Sequence, residues 1–600
     1  MQQLGELLVV RHRLFKAVGV PVAMRGGRIG RTVVEKGIGT ILSPSHVRHR
    51  PIFNLHPPTA TGEPHHPPHP IPAQNPTFSP KFRPMSHRLL FFLLLLGTAC
   101  ADDHHPGADE QSLAPQYRSD FRPNLIFVLA DDHRYDFMGF TGKVPWLETP
   151  HLDRLAAEGA YSSNTFVGTS LCSPSRASIL TGLYTHTHTV VDNGAPAPPD
   201  LTYFPQLLQR HGYKTGYFGK WHMGRASDDP RPGFDEWVSF KGQGTYYAPN
   251  LNVNGRRIQY PDTAYTPDLL TDHALNWMRE VERSGEPFFA YVSHKAVHAE
   301  FAPAKRHLGR YDNEEIIYPP SYRTSAEQVA GKRTSANEPY TREQYYGDRR
   351  QPDWQRMQRE SWHGVDYMYH GALDFETFYR RYCETLLGVD DNVGRLLNFL
   401  DERGIADETV VIYMGDNGFS FGEHGLIDKR HFYEESAKVP FLARYPKEIE
   451  AGSRPEAMLM NVDIAPSFLD YAGADIPESM QGRSFRSVLN GKVPADWRDR
   501  VFYEYYWEND FPQTPTTFGV RTDRYKYIRY HGIWDTNEFY DLENDPDEMR
   551  NLIAEPAYQD TIARMSAQLF DWLEETEGMN IPLKRLPRPR WGDHRNKDLY

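Results

Sequence analysis

The chain has 600 residues, 39% of them hydrophobic, with 67 Lys and Arg against 79 Asp and Glu and a formal charge of −12 at pH 7. That length allows a large core and more than one domain. The acidic balance excludes bulk nucleic-acid binding, so a polyanionic partner must be drawn by a local basic pocket. Three cysteines, Cys100, Cys172 and Cys383, exclude a disulfide framework.

Residues 1–84 are rich in Arg, His and Pro and lack apolar periodicity. They are read as a disordered or non-native extension ahead of a translation start at Met85. Met85-Ser86-His87-Arg88, the apolar run 89–96 and Gly97-Thr98-Ala99-Cys100-Ala101 have the layout of a secretory signal. The run is too short to span a membrane. A cut after Ala101 gives a soluble exported protein; a cut before Cys100 gives a lipid anchor, the one membrane attachment expected. Either way the protein is expected to be exported: periplasmic, cell-surface or secreted. A polar linker covers 102–122.

A continuous apolar run over 123–130 predicts a strand covered on both faces, ending in Asp131-Asp132-His133. A helix follows over 149–159, with Thr149 as its cap, Pro150 in the first turn and Gly159 as its stop. Leu171-Cys172-Ser173-Pro174-Ser175-Arg176 opens an amphipathic run. Pro174 fits the first turn of a helix, which puts Cys172 at the positive end of its dipole, with the fork of Arg176 one turn on. Residues 201–212 read as a helix and 213–219 as a strand leading into Lys220-Trp221-His222. A helix over 269–281 precedes a strand over 288–292 that runs into Ser293-His294-Lys295-Ala296-Val297-His298.

The stretch 302–379 breaks this rhythm with Arg349, Arg350, Trp354, Arg356, Arg359 and Trp362. It is read as a variable insertion that either shapes the substrate pocket or only covers the surface. A helix with a buried stripe spans 382–402, and a strand over 409–414 ends in Gly415-Asp416-Asn417. Alternating strands and helices with acids at strand ends indicate an α/β domain over 123–475. The character then changes. A hairpin around Asp523-Arg524, a strand over 538–542 and a helix over 558–577 make a second subdomain over 476–580. A basic tail follows over 581–600.

Asp131, Asp132, Asp416 and Asn417 offer four oxygen donors from two strand ends, a set that suits a hard divalent cation. Each pair alone is better read as a turn or helix cap. Lys220 and His222, two residues apart in an extended segment, face the same way.

Cys172-Ser173-Pro174-Ser175-Arg176 with Leu180-Thr181-Gly182 behind it resembles the signature of the formylglycine-dependent sulfatases of the alkaline phosphatase superfamily. Gly219-Lys220-Trp221-His222-Met223-Gly224 is similar to a second element of that family. Gly425-Leu426-Ile427-Asp428-Lys429-Arg430, with Tyr433-Glu434-Glu435 and Val439-Pro440, is similar to a third. The likeness runs from about 123 to 552. It implies a large mixed, mainly parallel sheet between helices, with a smaller C-terminal antiparallel sheet plus helix. It implies that Cys172 is oxidised by a formylglycine-generating maturation enzyme, and that the aldehyde hydrate attacks sulfur.

By the same resemblance Asp131, Asp132, Asp416, Asn417 and residue 172 hold Ca2+, with Mg2+ also compatible. Arg176, Lys220 and Lys429 surround the sulfate. His222 takes a proton from the diol, and His298, ranked ahead of His294, protonates the leaving alcohol. His424 and His186 are expected to touch substrate. Thr181-Gly182-Leu183-Tyr184-Thr185-His186 and Asp428-Lys429-Arg430 resemble the N-acetylglucosamine-6-sulfatase branch, which implies a sulfated carbohydrate as substrate. The competing readings are a phosphate or phosphonate monoester hydrolase of the same superfamily, and a non-catalytic glycan-binding lipoprotein with unmodified Cys172.

Overall fold

A computed structural model describes residues 122–224, 227–322, 351–359, 361, 363–365, 373–532 and 535–582. The extension 1–84, the signal segment with Cys100, nearly all of the linker, Arg349, Arg350, Trp362 and the tail from 583 lie outside the described residues.

The strand expected at 123–130 is β1 (Asn124–Ala130), and it lies inside a nine-stranded sheet. The sheet's other strands are β2 (Ala160–Ser162), β4 (Lys214–Lys220), β5 (Glu236–Phe240), β6 (Asn250–Val253), β7 (Arg256–Gln259), β8 (Phe288–Ser293), β9 (Thr409–Gly415) and β12 (Phe441–Arg444). The order is β2-β12-β9-β1-β8-β4-β5-β6-β7. The central run β9-β1-β8-β4-β5 is parallel, and antiparallel strands finish both edges.

Alternation along β1 feeds two cores. Ile126, Val128 and Ala130 pack in one with residues of α5 (Thr266–Ser284) and α7 (Phe375–Arg403). Leu125, Phe127 and Leu129 pack in the other with α2 (Cys172–Thr181), α4 (Phe204–Arg210) and α9 (Ile464–Ala472). Both faces are covered, which is why β1 is apolar throughout.

Three local expectations change. The helix placed at 382 begins at Phe375, because Asp374 caps it by accepting from Thr377 N at 2.8 Å. Thr149 stands at the N-cap of α1 (Pro150–Glu158), but its hydroxyl donates to Asp153 Oδ1 at 2.8 Å instead of capping the backbone. The α2 helix is buried on every side rather than amphipathic, because α4, α9 and the segments 185–188 and 461–463 pack around it.

The second subdomain is a four-stranded antiparallel sheet, β14 (Arg500–Tyr505), β15 (Thr516–Thr522), β16 (Tyr525–His531) and β17 (Glu538–Asp541), in sequential order. The α11 helix (Gln559–Glu575) buries Met565, Leu569, Trp572 and Leu573 against it. Buried ion pairs join it to the large domain: Lys526 reaches Glu434 at 2.8 Å and Arg521 reaches Glu434 at 3.2 Å, while Glu548, of the subdomain itself, lies 2.8 Å from Lys526 on its other side. No helix among the described residues is long and apolar enough to cross a membrane.

Candidate active site

The carboxyl ends of β1, β9, β8 and β4 lie side by side, and each delivers polar residues to one spot, as strand ends in parallel sheets do. Asp131 and Asp132 follow β1, and Asp416 and Asn417 follow β9. The two loops are laced together. Asp132 N donates to Asp416 Oδ1 at 3.0 Å, and Asn417 Nδ2 donates to Asp132 Oδ1 at 2.7 Å. Segment 295–298 after β8 is pinned to the same place, with Asp131 N donating to Ala296 O at 2.9 Å and Val297 N to Asp131 O at 2.6 Å.

The first turn of α2 enters from the opposite side. Cys172 is fully buried, its Sγ 3.4 Å from Asp131 Oδ1 and 3.9 Å from Asp132 Oδ1. The ligand atoms of Asp131, Cys172 and Asp416 lie within 4.8 Å of one another. Asp132 Oδ2 and Asn417 Oδ1 are buried without hydrogen-bond partners. Orphaned acceptors of this kind are costly in a dry interior. These two oxygens, together with the carboxylates of Asp131 and Asp416, fit a hard cation.

The cations of the site are equally buried. Lys220 pairs with Asp131, and Lys429 with Asp132. Two of the three Arg176 nitrogens are committed to structure: Nε donates to Asp416 Oδ2 at 2.8 Å, and Nη1 to Lys220 O and Ser293 Oγ at 2.7 and 2.6 Å, while buried Nη2 lies 2.8 Å from Asp416 Oδ2 without a hydrogen bond. Gly219 makes this junction feasible. Its φ is +140°, and a Cβ there would stand 1.8 Å from Ser293 O.

These charges move the titrations. Burial would raise Asp131, but Lys220, His298 and Arg176 hold it well below the usual carboxylate range. Burial pushes Asp132 up to about 7 against the pull of Lys429. Burial, then Lys220, lowers both His222 and His298, so both rings rest neutral at pH 7.

His222 reaches the site by a different route from the one expected. The strand ends at Lys220, and His222 sits at φ +61°, so the two side chains are not on one face of an extended segment. The imidazole instead lies 3.3 Å from Ser173 Oγ, which donates to the His222 carbonyl at 2.9 Å. His298 places Nε2 3.8 Å from Asp132 Oδ2, while its Nδ1 bonds to Ala299 O. His294, the competitor, is buried among other charges, those of Asp268 and Arg395.

His186 and His424, expected to touch substrate, make other contacts within the protein. His186 has both ring nitrogens engaged, Nδ1 with Glu504 at 3.0 Å and Nε2 with Thr576 O at 3.0 Å, and its ring packs on Trp572. It joins the large domain to the second subdomain. His424 stacks on Tyr433, ring centroids 4.1 Å apart, and makes no hydrogen bond to Asp131, Asp132, Lys429 or Cys172 among the described residues.

Sequence reasoning missed Ser173, Ser293 and Tyr246, whose hydroxyl donates to His298 O at 2.7 Å. Ser293 carried the same signal as the acids, a polar residue ending an apolar strand.

The sulfatase family model matches residues 123–474. This chain belongs to the sulfatase family. Its members hydrolyse sulfate esters, and the chain is an enzyme of that class. A model of the C-terminal part of N-sulphoglucosamine sulphohydrolase matches residues 422–575 of the sulfatase. An N-acetylglucosamine-6-O-sulfatase of Bacteroides thetaiotaomicron is 36% identical over 500 residues, 77% of this chain and 88% of that one. The N-acetylglucosamine-6-sulfatase of Homo sapiens is 28% identical over 499 residues, 75% of this sulfatase and 84% of its own length. A solved structure in complex with its substrate D-glucosamine-2-N,6-O-disulfate is 34% identical with a TM-score of 0.65, covering 77% of this chain and 100% of that one.

Proposed function

We propose that the enzyme removes O-sulfate from a sulfated saccharide, with 6-O-sulfated glucosamine as its substrate class, once Cys172 has been oxidised to formylglycine. The observation that carries this reading is the convergence of Asp131, Asp132, Asp416, Asn417 and residue 172 with Lys220 and Lys429 in one buried cluster. The glucosamine sulfatase named among the relatives supports the sugar.

Asp131, Asp132, Asp416 and Asn417 would hold a divalent cation, calcium by family precedent, which supplies Lewis acidity at a sulfate oxygen and at the oxygen nucleophile of residue 172. Lys220 and Lys429 present positive charge where the transferring sulfuryl group carries its negative charge. Arg176 acts through Asp416, which it orients, and it opposes the upward shift that burial and Asp131 impose on that carboxyl. Neutral His222, steadied by Ser173, accepts a proton from the hydrated side chain. His298 handles the proton on the leaving oxygen through Nε2, since Nδ1 is tied to a carbonyl. Its ring must gain a proton before it can pass one on, and an arriving sulfate ester brings negative charge that favours this.

The unmodified residue is a poor nucleophile here. Burial, then Asp131, pushes the Cys172 thiol well above its ordinary value, so it is not a thiolate at neutral pH.

Mass spectrometry of the Cys172 peptide, after co-expression with a formylglycine-generating enzyme, should show the aldehyde. The matured protein should release sulfate from glucosamine 6-sulfate, and Cys172→Ala should abolish release without changing the circular dichroism spectrum. An intact thiol and no turnover would favour a glycan-binding protein. Faster cleavage of aryl phosphate or phosphonate than of any sulfate ester would favour the phosphorus reading.

A further inference from the structure

Lys220 and Lys429 each have a carboxylate partner. A third lysine at the same place has none. Lys295 is only 4% exposed and makes no ion pair among the described residues. Its ammonium lies 4.4 Å from the centroid of the Tyr246 ring, a cation–π contact. A lysine so largely buried, with a ring face and no carboxylate as its close contact, is an unusual use of the residue.

Its surroundings indicate that task. The charges that act on Lys295 are, after burial, those of Lys220, Asp131, Asp132 and the exposed Glu300, and Lys295 in turn acts on His298. Lys295 and His298 bracket one tight turn, with His298 N donating to Lys295 O at 3.0 Å. The Tyr246 side chain touches both ends of that turn. Its ring faces the Lys295 ammonium, and its hydroxyl donates to the His298 carbonyl at 2.7 Å. The whole segment is pinned to Asp131 by two backbone hydrogen bonds. Lys295 is thus held rigidly beside the leaving-group histidine and in electrostatic reach of the carboxylates.

We infer that Lys295 is a further catalytic residue, whose ammonium donates a hydrogen bond to the ester oxygen that departs with the sugar. The inference rests on the sulfatase reading of this site. It divides the cations by role: Lys220 and Lys429 face the oxygens that stay with sulfur, and Lys295 faces the oxygen that leaves. Burial and Lys220 lower the Lys295 ammonium to about 8, so it remains charged at neutral pH while holding its proton less tightly than a surface lysine.

The test uses the matured full chain and two substrates, glucosamine 6-sulfate and 4-nitrophenyl sulfate. A sugar alkoxide needs help to leave; a nitrophenolate needs little. Lys295→Met is expected to lower kcat/KM on the sugar sulfate by about 10²-fold and on the aryl sulfate by about tenfold or less. Lys295→Arg should recover part of the sugar activity. If the Met variant does not fold, Lys295→Gln against Lys295→Arg gives the same ratio with a side chain of similar length. Equal losses on the two substrates, or none, would overturn the role of Lys295 while leaving the sulfatase reading intact. A wild-type protein with oxidised residue 172 that cleaves no sulfate ester would overturn both.

Discussion

The Asn417 amide donates to Asp132 Oδ1 at 2.7 Å, and the bond leaves Asn417 Oδ1 and Asp132 Oδ2 as two unpaired acceptors in the same buried cluster. Two residues 285 positions apart thereby fix each other's orientation toward a site neither could form alone.

Cation removal should therefore destabilise the protein as well as inactivate it. A ligand present at 100 times its Kd stabilises the folded state by about 2.7 kcal/mol. Dialysis against a chelator should lower Tm, and added Ca2+ should restore it. In Asn417→Leu the shift on adding Ca2+ should shrink. Calorimetric Tm values with and without Ca2+ check this, and a Tm indifferent to chelator would remove the cation from the account.

His298→Ala should lower turnover of sugar sulfates by about 10²–10⁴-fold, the usual contribution of a positioned acid or base. Activated aryl sulfates should suffer less. Parallel kcat/KM measurements on both classes decide the point, and equal losses would mean that His298 does not handle the leaving oxygen.

The His186–Glu504 pair predicts a pH-dependent stability unrelated to catalysis. Burial lowers the His186 value, but the hydrogen bond and charge of Glu504 more than offset it, so the folded value is raised. A raised folded value means stabilisation that is full below the unfolded value, about pH 6.5, and lost as pH rises through the folded value. The Tm advantage of wild type over His186→Gln should be greatest in mildly acidic buffer and decline toward alkaline pH. An advantage that grows with pH would contradict the pairing.

Gly219→Ala should be among the most damaging small substitutions. The new Cβ would collide with Ser293 O, and φ +140° is strained for any L-residue. A loss of about 2 kcal/mol or more is expected, with disturbed Lys220 and Arg176 contacts. Urea unfolding of the variant measures it, and wild-type stability would show that the junction can relax.

Much of the site was visible in the linear chain because its chemistry sits where local signals are strong. Apolar strands announced β1, β8 and β9, and the polar residues ending them had to lie at one edge of a parallel sheet. Pro174 marked the helix start that carries Cys172. Local pattern failed where partners are remote. Nothing near His186 announces Glu504, more than 300 residues on, and nothing near Arg176 announces that Asp416 occupies its fork. His222 was placed on the right site by the wrong geometry, since a left-handed residue after a strand leaves no alternation to follow.

The sequence by itself determined the strands β1, β4, β8 and β9 that carry the site, the helix that starts at Cys172 and the kinds of group at each strand end, because these follow from short-range periodicity and side-chain chemistry. Only the tertiary structure decided which charges meet. It gave Lys220 to Asp131, Lys429 to Asp132 and Arg176 to Asp416, set His186 against Glu504, and laid Lys295 on the face of Tyr246 without an ion pair among the described residues. The reason is physical: in a buried cluster each group's pairing and protonation depend on every other group within a few ångströms, and those neighbours come from segments that only folding brings together.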